Sequence, residues 1–228
     1  MDEEFNLDKF GGSSVFRWTH ENMLRVLTTG HNRVVNNERL IQALRIIKRE
    51  DFVPDTKKEN AYEDKELDIG FNQNLTRPTT VAHMIELAEP KVGSKVLDIG
   101  TGSGWSTALF AYVVGNRGKV VSIEKLQYLL DFARKNIAKY PQFKNIELVF
   151  RDGYLGLPER GPFDVIHASA SYEKIPEELK AQINIGGRLV APTKQYKIIV
   201  VTREDKDTWN EKYYDNFILD EMTKGVNL

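Results

Sequence analysis

Residues Val96 to Trp105 read VLDIGTGSGW, with Gly100, Gly102 and Gly104 on alternate positions directly after a short apolar run. Such a turn lets main-chain amides approach a ligand with no Cβ in the way, and it usually cradles a nucleotide-like group. A dinucleotide site uses G-x-G-x-x-G, and its last small residue is replaced here by the bulk of Trp105. No G-K-[ST] follows, which excludes a P-loop phosphate cradle. Two carboxylates stand at matching places further on. Glu124 ends the next apolar run, about twenty residues past the loop, where an acid can accept ribose hydroxyl protons. Asp152-Gly153 follows the third run, where an acidic side chain can bond the amino group of an adenine. Taken singly, the loop could be a mere turn, Glu124 a solvated helix cap and Asp152 half of an Asp-Gly turn. Ending three successive strands, they point to one shared crevice.

The elements that must position these residues alternate in type. From Lys95 the chain reads strand (KVLDIG), helix (WSTALFAYVVG), strand (KVVSIE), amphipathic helix (LQYLLDFARKNIAKY) and strand (IELVF). FDVIHAS is a fourth strand, followed by a short helix around Pro176 to Ile183. GGRLVAP, YKIIVVTRE and WNEKYYDNFIL make three late strands, the last two hairpin-like around Glu204 to Thr208. This rhythm predicts an α/β fold, a doubly wound and mostly parallel seven-stranded sheet with an antiparallel edge. Residues 20–48 are expected to be helical, with Asn36-Asn37 as a break that caps the second helix. Asp51 to Asp68 reads as loop, and a helix starting at Thr79 or Thr80 stops at Pro90. Residues 1–20, polar and punctuated by Gly11-Gly12-Ser13-Ser14, read as a loose arm. The division expected is 1–78 for arm, helices and a substrate-side loop, and 79–228 for the cofactor-binding core.

Composition sets the outer bounds. The 228 residues suffice for one α/β domain with a sizeable core. With Lys+Arg at 32 against Asp+Glu at 33, a dedicated nucleic-acid or anionic-membrane binder is disfavoured. Without cysteine there is no disulfide framework, thiol nucleophile or cysteine–zinc site. His20, His31, His83 and His167 are scattered and never form H-E-x-x-H, so no metal is expected. The acidic start MDEEFNLDKFGG is unlike a secretory signal, and no stretch approaches the roughly 18 apolar residues of a membrane span. A cytoplasmic enzyme is the expectation by default; the sequence selects no oligomeric state.

The segment Asp98 to Gly104, D-x-G-x-G-x-G, resembles the first motif of class I S-adenosylmethionine-dependent methyltransferases, and the fold expected is their Rossmann-like one. That resemblance implies S-adenosyl-L-methionine as cofactor and S-adenosyl-L-homocysteine as product. The residues it implies at the cofactor are Asp98, Gly100, Thr101, Gly102, Gly104, Trp105, Glu124, Lys125, Asp152 and Gly153. The acceptor is approached by elimination. The fourth strand carries no Asn/Asp-Pro-Pro-aromatic motif of base methylation, and no carboxylate–histidine set suits Mg²⁺-assisted chemistry. His167 lies inside a buried strand, where a core role outweighs that of a general base. A site without an evident base suits an acceptor that is already anionic, a carboxylate, which needs alignment and partial desolvation rather than proton removal.

From about residue 35 to about residue 203 the chain is similar to the protein-L-isoaspartate O-methyltransferase family. The blocks that carry the likeness are REDFVP (Arg49 to Pro54), AYED (Ala61 to Asp64), IGFNQNLTRP (Ile69 to Pro78), VLDIGTGSGW, VSIEK, RDGYLGLPERGPFDVIHASA and IPEELKAQINIGGRLVAP. The family's block G-x-G-Q-T-[IL]-[ST]-x-P appears here as Gly70 to Pro78. By that match Thr76 takes the place of the active hydroxyl residue, usually serine, which orients the attacking carboxylate. Gln73, Asn74, Leu75 and Ser169 fall at the substrate. A cap on the following helix is the other role open to Thr76. The partners implied are isoaspartyl-containing peptides and proteins, with nucleic acid unlikely.

Asn72 and Asn74 depart from the family's glycine and threonine, Ser169 lies in HASA rather than a threonine-alanine-alanine stretch, and FILDEM replaces FVPL. These changes bear on the substrate side. A carboxylate methyltransferase with another peptide or protein substrate, an RNA methyltransferase and an inactive cofactor-binding adaptor remain as alternatives. For RNA, Lys57-Lys58 and the stretch Arg134 to Lys139 are the modest basic candidates.

Overall fold

Runs rich in valine and isoleucine, apolar on both sides, can only be satisfied as strands covered on both faces. The computed structural model describes residues 18–29, 33–195 and 197–214 and builds such a sheet. Its strands are β3 (Lys95–Ile99), β4 (Lys119–Glu124), β5 (Ile146–Phe150), β6 (Phe163–Ala168), β7 (Ile183–Pro192), β8 (Ile198–Arg203) and β9 (Trp209–Tyr214), in the spatial order β5-β4-β3-β6-β7-β8-β9. Pairings from β5 across to β7 are parallel; β7–β8 and β8–β9 are antiparallel. The seven-stranded, mostly parallel, doubly wound sheet is the one expected, and Glu204 N–H donates to Thr208 O at 2.9 Å in the last turn.

Side chains alternate across the sheet with period two. Val96, Val120, Val165, Val190 and Val200 join one buried cluster, while Leu97, Val121, Ile166, Leu189 and Val201 join the other. The first cluster is covered by α3 (Pro78–Ala88), α4 (Trp105–Val114) and α5 (Gln127–Ile137), and the second packs against α6 (Glu177–Lys180). Helix α4 is apolar all round because the sheet lies on one side and the N-terminal helices on the other.

Those N-terminal helices are α1 (His20–Thr28) and α2 (Glu38–Ile46). The expected break and cap are there: Asn37 Oδ1 accepts from Arg39 N–H at 2.9 Å and Leu40 N–H at 3.2 Å. Arg39 fastens the pair to the core. Its Nε donates to Val113 O at 2.7 Å and its Nη2 to Tyr112 O at 2.8 Å, so a cation meets the free carbonyls at the end of α4.

Asp51 to Asp68 is less loop than the composition predicts. It holds 3₁₀ turns at Arg49–Phe52 and Asp55–Asn60 and enters a small antiparallel hairpin, β1 (Leu67–Gly70) and β2 (Gln73–Leu75), that the sequence did not announce. Helix α3 begins at Pro78, one or two residues before the expected Thr79 or Thr80, since proline suits the first helical position. The short helix is confined to Glu177–Lys180. Most of the arm, FILDEM, His31 and Tyr196 lie outside the described residues. Among the described residues no helix is long and apolar enough to cross a membrane.

Candidate active site

The strand order sets where a site can form. From β3 the chain moves outward through β4 to β5, then returns to place β6 on the other side of β3. Connections leaving β3 and β6 therefore diverge at their carboxyl ends, and a crevice opens at this switch point. The glycine loop leaves β3 there, and Ser169 follows β6 with its N–H donated to Ile99 O at 2.9 Å.

The loop's glycines answer to different constraints. Gly100 (φ 88°), Gly102 (φ 54°) and Gly104 (φ 94°) are all left-handed, a conformation costly for other residues. A Cβ on Gly104 would come within 3.1 Å of Ile137 Cδ1 and 3.2 Å of Ala133 Cβ, so this glycine lets α4 start against α5. A Cβ on Gly100 would lie 3.3 Å from that of Ser169, across the crevice. At Gly153 the demand is packing alone, because a Cβ would stand 2.5 Å from Ile99 Cγ2.

Over the loop lies the β1–β2 hairpin. One pocket is lined by Asn74, Leu75 and Thr76 from the hairpin's end, by Gly100, Thr101, Gly102 and Trp105 from the loop, and by Ser169. Two segments some 25 residues apart in sequence thus share one cavity, as the crevice reading requires. The Thr76 side chain is half-buried, and its hydroxyl has no partner among the described residues. It does not cap α3: Arg77 occupies the cap position without a side-chain bond, and Asp64 accepts from Thr79 N–H (3.0 Å) and Oγ1.

Glu124 is 6% exposed, and its carboxylate accepts three main-chain N–H groups: Gly102 at 2.9 Å, Lys125 at 2.9 Å and Leu126 at 3.0 Å. Burial pushes its pKa above the ordinary glutamate value, against the pull of those three donors. Four lone-pair sites minus three bonds leave room for a further donor. Asp152 stands beside it after β5, next to β4 in the sheet, and its Oδ1 accepts from Tyr154 N–H at 2.9 Å.

Not every residue expected at the site lines this pocket. Asp98 is not at the crevice surface. Its carboxylate is fully buried and accepts from Thr107 Oγ1 (2.6 Å), Ser106 Oγ and Ser122 Oγ (both 3.2 Å), with His167 Nδ1 at 2.7 Å. Period-two alternation turns it, like Val96, towards α4, where it braces the root of the loop. His167, 2% exposed, is the core residue expected. Gln73 does not line the pocket either; its amide donates to Asn72 O at 3.0 Å. Nor do Gly104, Glu124, Lys125, Asp152 and Gly153.

Residues the sequence reading passed over also stand here. Ser103 lines the pocket with its Oγ buried and without a hydrogen-bond partner among the described residues. Only its place in T-G-S-G could have signalled it. Asn72 receives a physical account. The hairpin tip puts Phe71 (φ 56°) and Asn72 (φ 54°) in the left-handed region, where asparagine is the best tolerated residue after glycine. The change from glycine thus keeps the turn. Asn72→Ala is expected to destabilise the protein by about 1 kcal/mol relative to Asn72→Gly, read from urea midpoints; equal midpoints would remove the backbone explanation.

Comparison with known proteins bears on this geometry. A model of the family described as protein-L-isoaspartate(D-aspartate) O-methyltransferase (PCMT) matches residues 19–219. The chain is 39% identical over 169 residues to the protein-L-isoaspartate O-methyltransferase of Methanothrix thermoacetophila, covering 73% of this chain and 80% of that one. Its counterpart in Methanosarcina mazei is 34% identical over 193 residues, 85% and 79% of the two chains. In three dimensions it superposes with a TM-score of 0.79 on a Plasmodium falciparum chain assigned to PCMT and solved with S-adenosyl-L-homocysteine. That match covers 90% of this chain and 99% of the other at 20% identity, and shows the shared fold.

Proposed function

The chain belongs to the protein-L-isoaspartate(D-aspartate) O-methyltransferase family, and we propose that it methylates the free carboxylate of L-isoaspartyl residues in damaged proteins and peptides, a repair reaction. The observation that carries this reading is the shared pocket: Thr76, whose hydroxyl has no partner among the described residues, lines the same cavity as the glycine loop.

The residues present fit an S-adenosyl ligand. The left-handed glycines bring main chain to the cavity wall, Ser103 Oγ lacks a partner among the described residues, and Glu124 keeps acceptor capacity. In this reading Gly100, Thr101, Gly102 and Ser103 hold the ligand, Glu124 accepts from its ribose, and Asp152 lies on the adenine side. When bound, S-adenosylmethionine supplies an electrophilic methyl group. The chain's own task is then to present a carboxylate. Thr76 donates its hydroxyl to one carboxylate oxygen and leaves the other free to attack. Asn74 and Ser169 line the entry, while Ile69, Leu75 and Val81 exclude water, so the attacking oxygen is partly desolvated. No proton need be removed, which agrees with His167 being tied to Asp98. This reading puts the substrate side within residues 1–78 and the cofactor side within residues 79–228.

Nucleic acid as substrate finds little support. Lys58 pairs with Asp55 at 2.7 Å, Arg134 with Asp131, and Lys139 with Asp51 at 3.5 Å. These cations face carboxylates rather than forming a basic stripe. A cytoplasmic setting completes the reading, since no cysteine calls for an oxidising compartment.

Glu124 gives a pH dependence. Its folded pKa is raised, so its contribution to stability is present below the unfolded value and lost as pH rises through the folded one. Ribose hydroxyls donate to the charged form and offset that loss. Cofactor affinity is therefore expected to fall as pH drops through the raised pKa. Glu124→Gln should abolish this dependence and weaken binding at neutral pH by about 1–3 kcal/mol. Calorimetric titrations with S-adenosylhomocysteine across pH check both; identical curves for the two proteins would remove Glu124 from the site.

The reaction itself is tested with methyl-labelled S-adenosylmethionine, an isoaspartyl peptide, its normal aspartyl twin and an RNA. Incorporation confined to the isoaspartyl peptide is expected. Labelling of RNA, or equal labelling of both peptides, would overturn the substrate assignment.

A further inference from the structure

Arg49 belongs neither to the glycine loop nor to the hairpin, yet it touches both. A guanidinium is costly to bury, and this one is fully buried. Desolvation lowers its pKa to about 9, although the nearby charge of Asp64 works the other way. Among the described residues no carboxylate accepts from it; main-chain carbonyls do. Nη1 donates to Ala61 O, and Nη2 lies 3.0 Å from Thr76 O, 3.3 Å from Leu75 O and 3.2 Å from Lys65 O. Its Cζ stands 5.4 Å from the centre of the Trp105 ring, the first residue of α4.

The placement answers a backbone problem. Between the end of β2 and Pro78 the chain is neither strand nor helix, so its buried carbonyls need donors from elsewhere. A planar fork with five N–H donors can serve several diverging carbonyls while lying against an aromatic ring, which an ammonium cannot do equally well. The segment so held carries Thr76, and the ring so covered opens the helix behind Gly104.

We propose that Arg49 is a positioning residue for methyl transfer: its guanidinium fixes the Thr76 main chain relative to Trp105 and so sets where the Thr76 hydroxyl stands over the glycine loop. This rests on the role given to Thr76 above. Its bonds to Ala61 and Lys65 also tie down the preceding loop, so a stability effect alone would not distinguish this role from a structural one.

The test is a double-mutant cycle in the full chain, with Arg49→Lys as the primary variant and Arg49→Met as the stronger one, each with and without Thr76→Ala. Folding is checked by circular dichroism, and turnover is measured per folded molecule at saturating cofactor and isoaspartyl peptide. Arg49→Lys is expected to lower kcat about tenfold or more, since small misplacements are costly. Arg49→Met should lower it further, and S-adenosylhomocysteine affinity should stay within about threefold. In the Thr76→Ala background the added loss from Arg49→Lys should be under about twofold, because the group it positions is gone. An unchanged kcat with a lowered Tm, or the same loss in both backgrounds, would overturn the proposal while leaving Thr76 in place. An unchanged kcat for Thr76→Ala alone would instead overturn the role of Thr76, and with it this one.

Discussion

Thr76→Ala and Thr76→Val are expected to lower turnover of an isoaspartyl peptide by about 10²-fold while leaving S-adenosylhomocysteine affinity within about threefold. The reasoning starts from charge. An anionic oxygen and a cationic donor combine to give neutral products, so charge disappears on the way to the transition state. A hydrogen bond to the carboxylate consequently stabilises the starting state somewhat more than the transition state, and its benefit lies in orientation. Thr76 sits at the cavity wall with no other bond to its hydroxyl among the described residues, which leaves it available for that purpose. Thr76→Ser keeps the hydroxyl and should retain most activity. Single-turnover rates with calorimetry on the same samples check the pair. Lost cofactor binding with normal turnover of the bound complex would contradict the role.

The second large effect concerns stability. Asp98→Ala is expected to destabilise the fold by about 3–5 kcal/mol, lowering Tm on the order of 10 °C for a chain of this size. Three hydroxyls and one imidazole nitrogen converge on this carboxylate in the interior. Removing it leaves those groups without their acceptor, and water cannot reach them. Ser122 and Thr107 are bonded to each other at 3.0 Å and Ser122 to Thr101 at 2.7 Å, so the damage should spread to the loop and weaken cofactor binding as well. Asp98→Asn, which keeps one acceptor oxygen, should lie between. Calorimetric melting of the three proteins decides it; a Tm for Asp98→Ala within about 2 °C of the parent would mean the network carries little.

Much of this molecule was legible because its signals are local. Apolar runs of strand length between amphipathic helices fix the sheet, and Asn37 and Pro78 mark helix starts by their own chemistry. The burial of Asp98 follows from the same alternation that sends Val96 inward, a consequence that its position just before the glycines drew attention away from. The β1–β2 hairpin was hidden because its tip, Phe71-Asn72, lacks the glycine that usually marks such turns. Arg49 was out of reach for another reason. The carbonyls it serves lie 12 to 27 residues away, and their need for a donor exists only once the chain has folded. Short-range pattern found the crevice's walls, then, and long-range contact determined which side chains face it.

The position of the acceptor can be read from a crystal structure with S-adenosylhomocysteine and an isoaspartyl peptide bound together. The peptide carboxylate is expected between the thioether sulfur and the Thr76 hydroxyl, with one oxygen in hydrogen-bond reach of Thr76 and the other towards sulfur. A carboxylate held elsewhere, or a cofactor outside the cavity formed by the hairpin and the glycine loop, would contradict this arrangement.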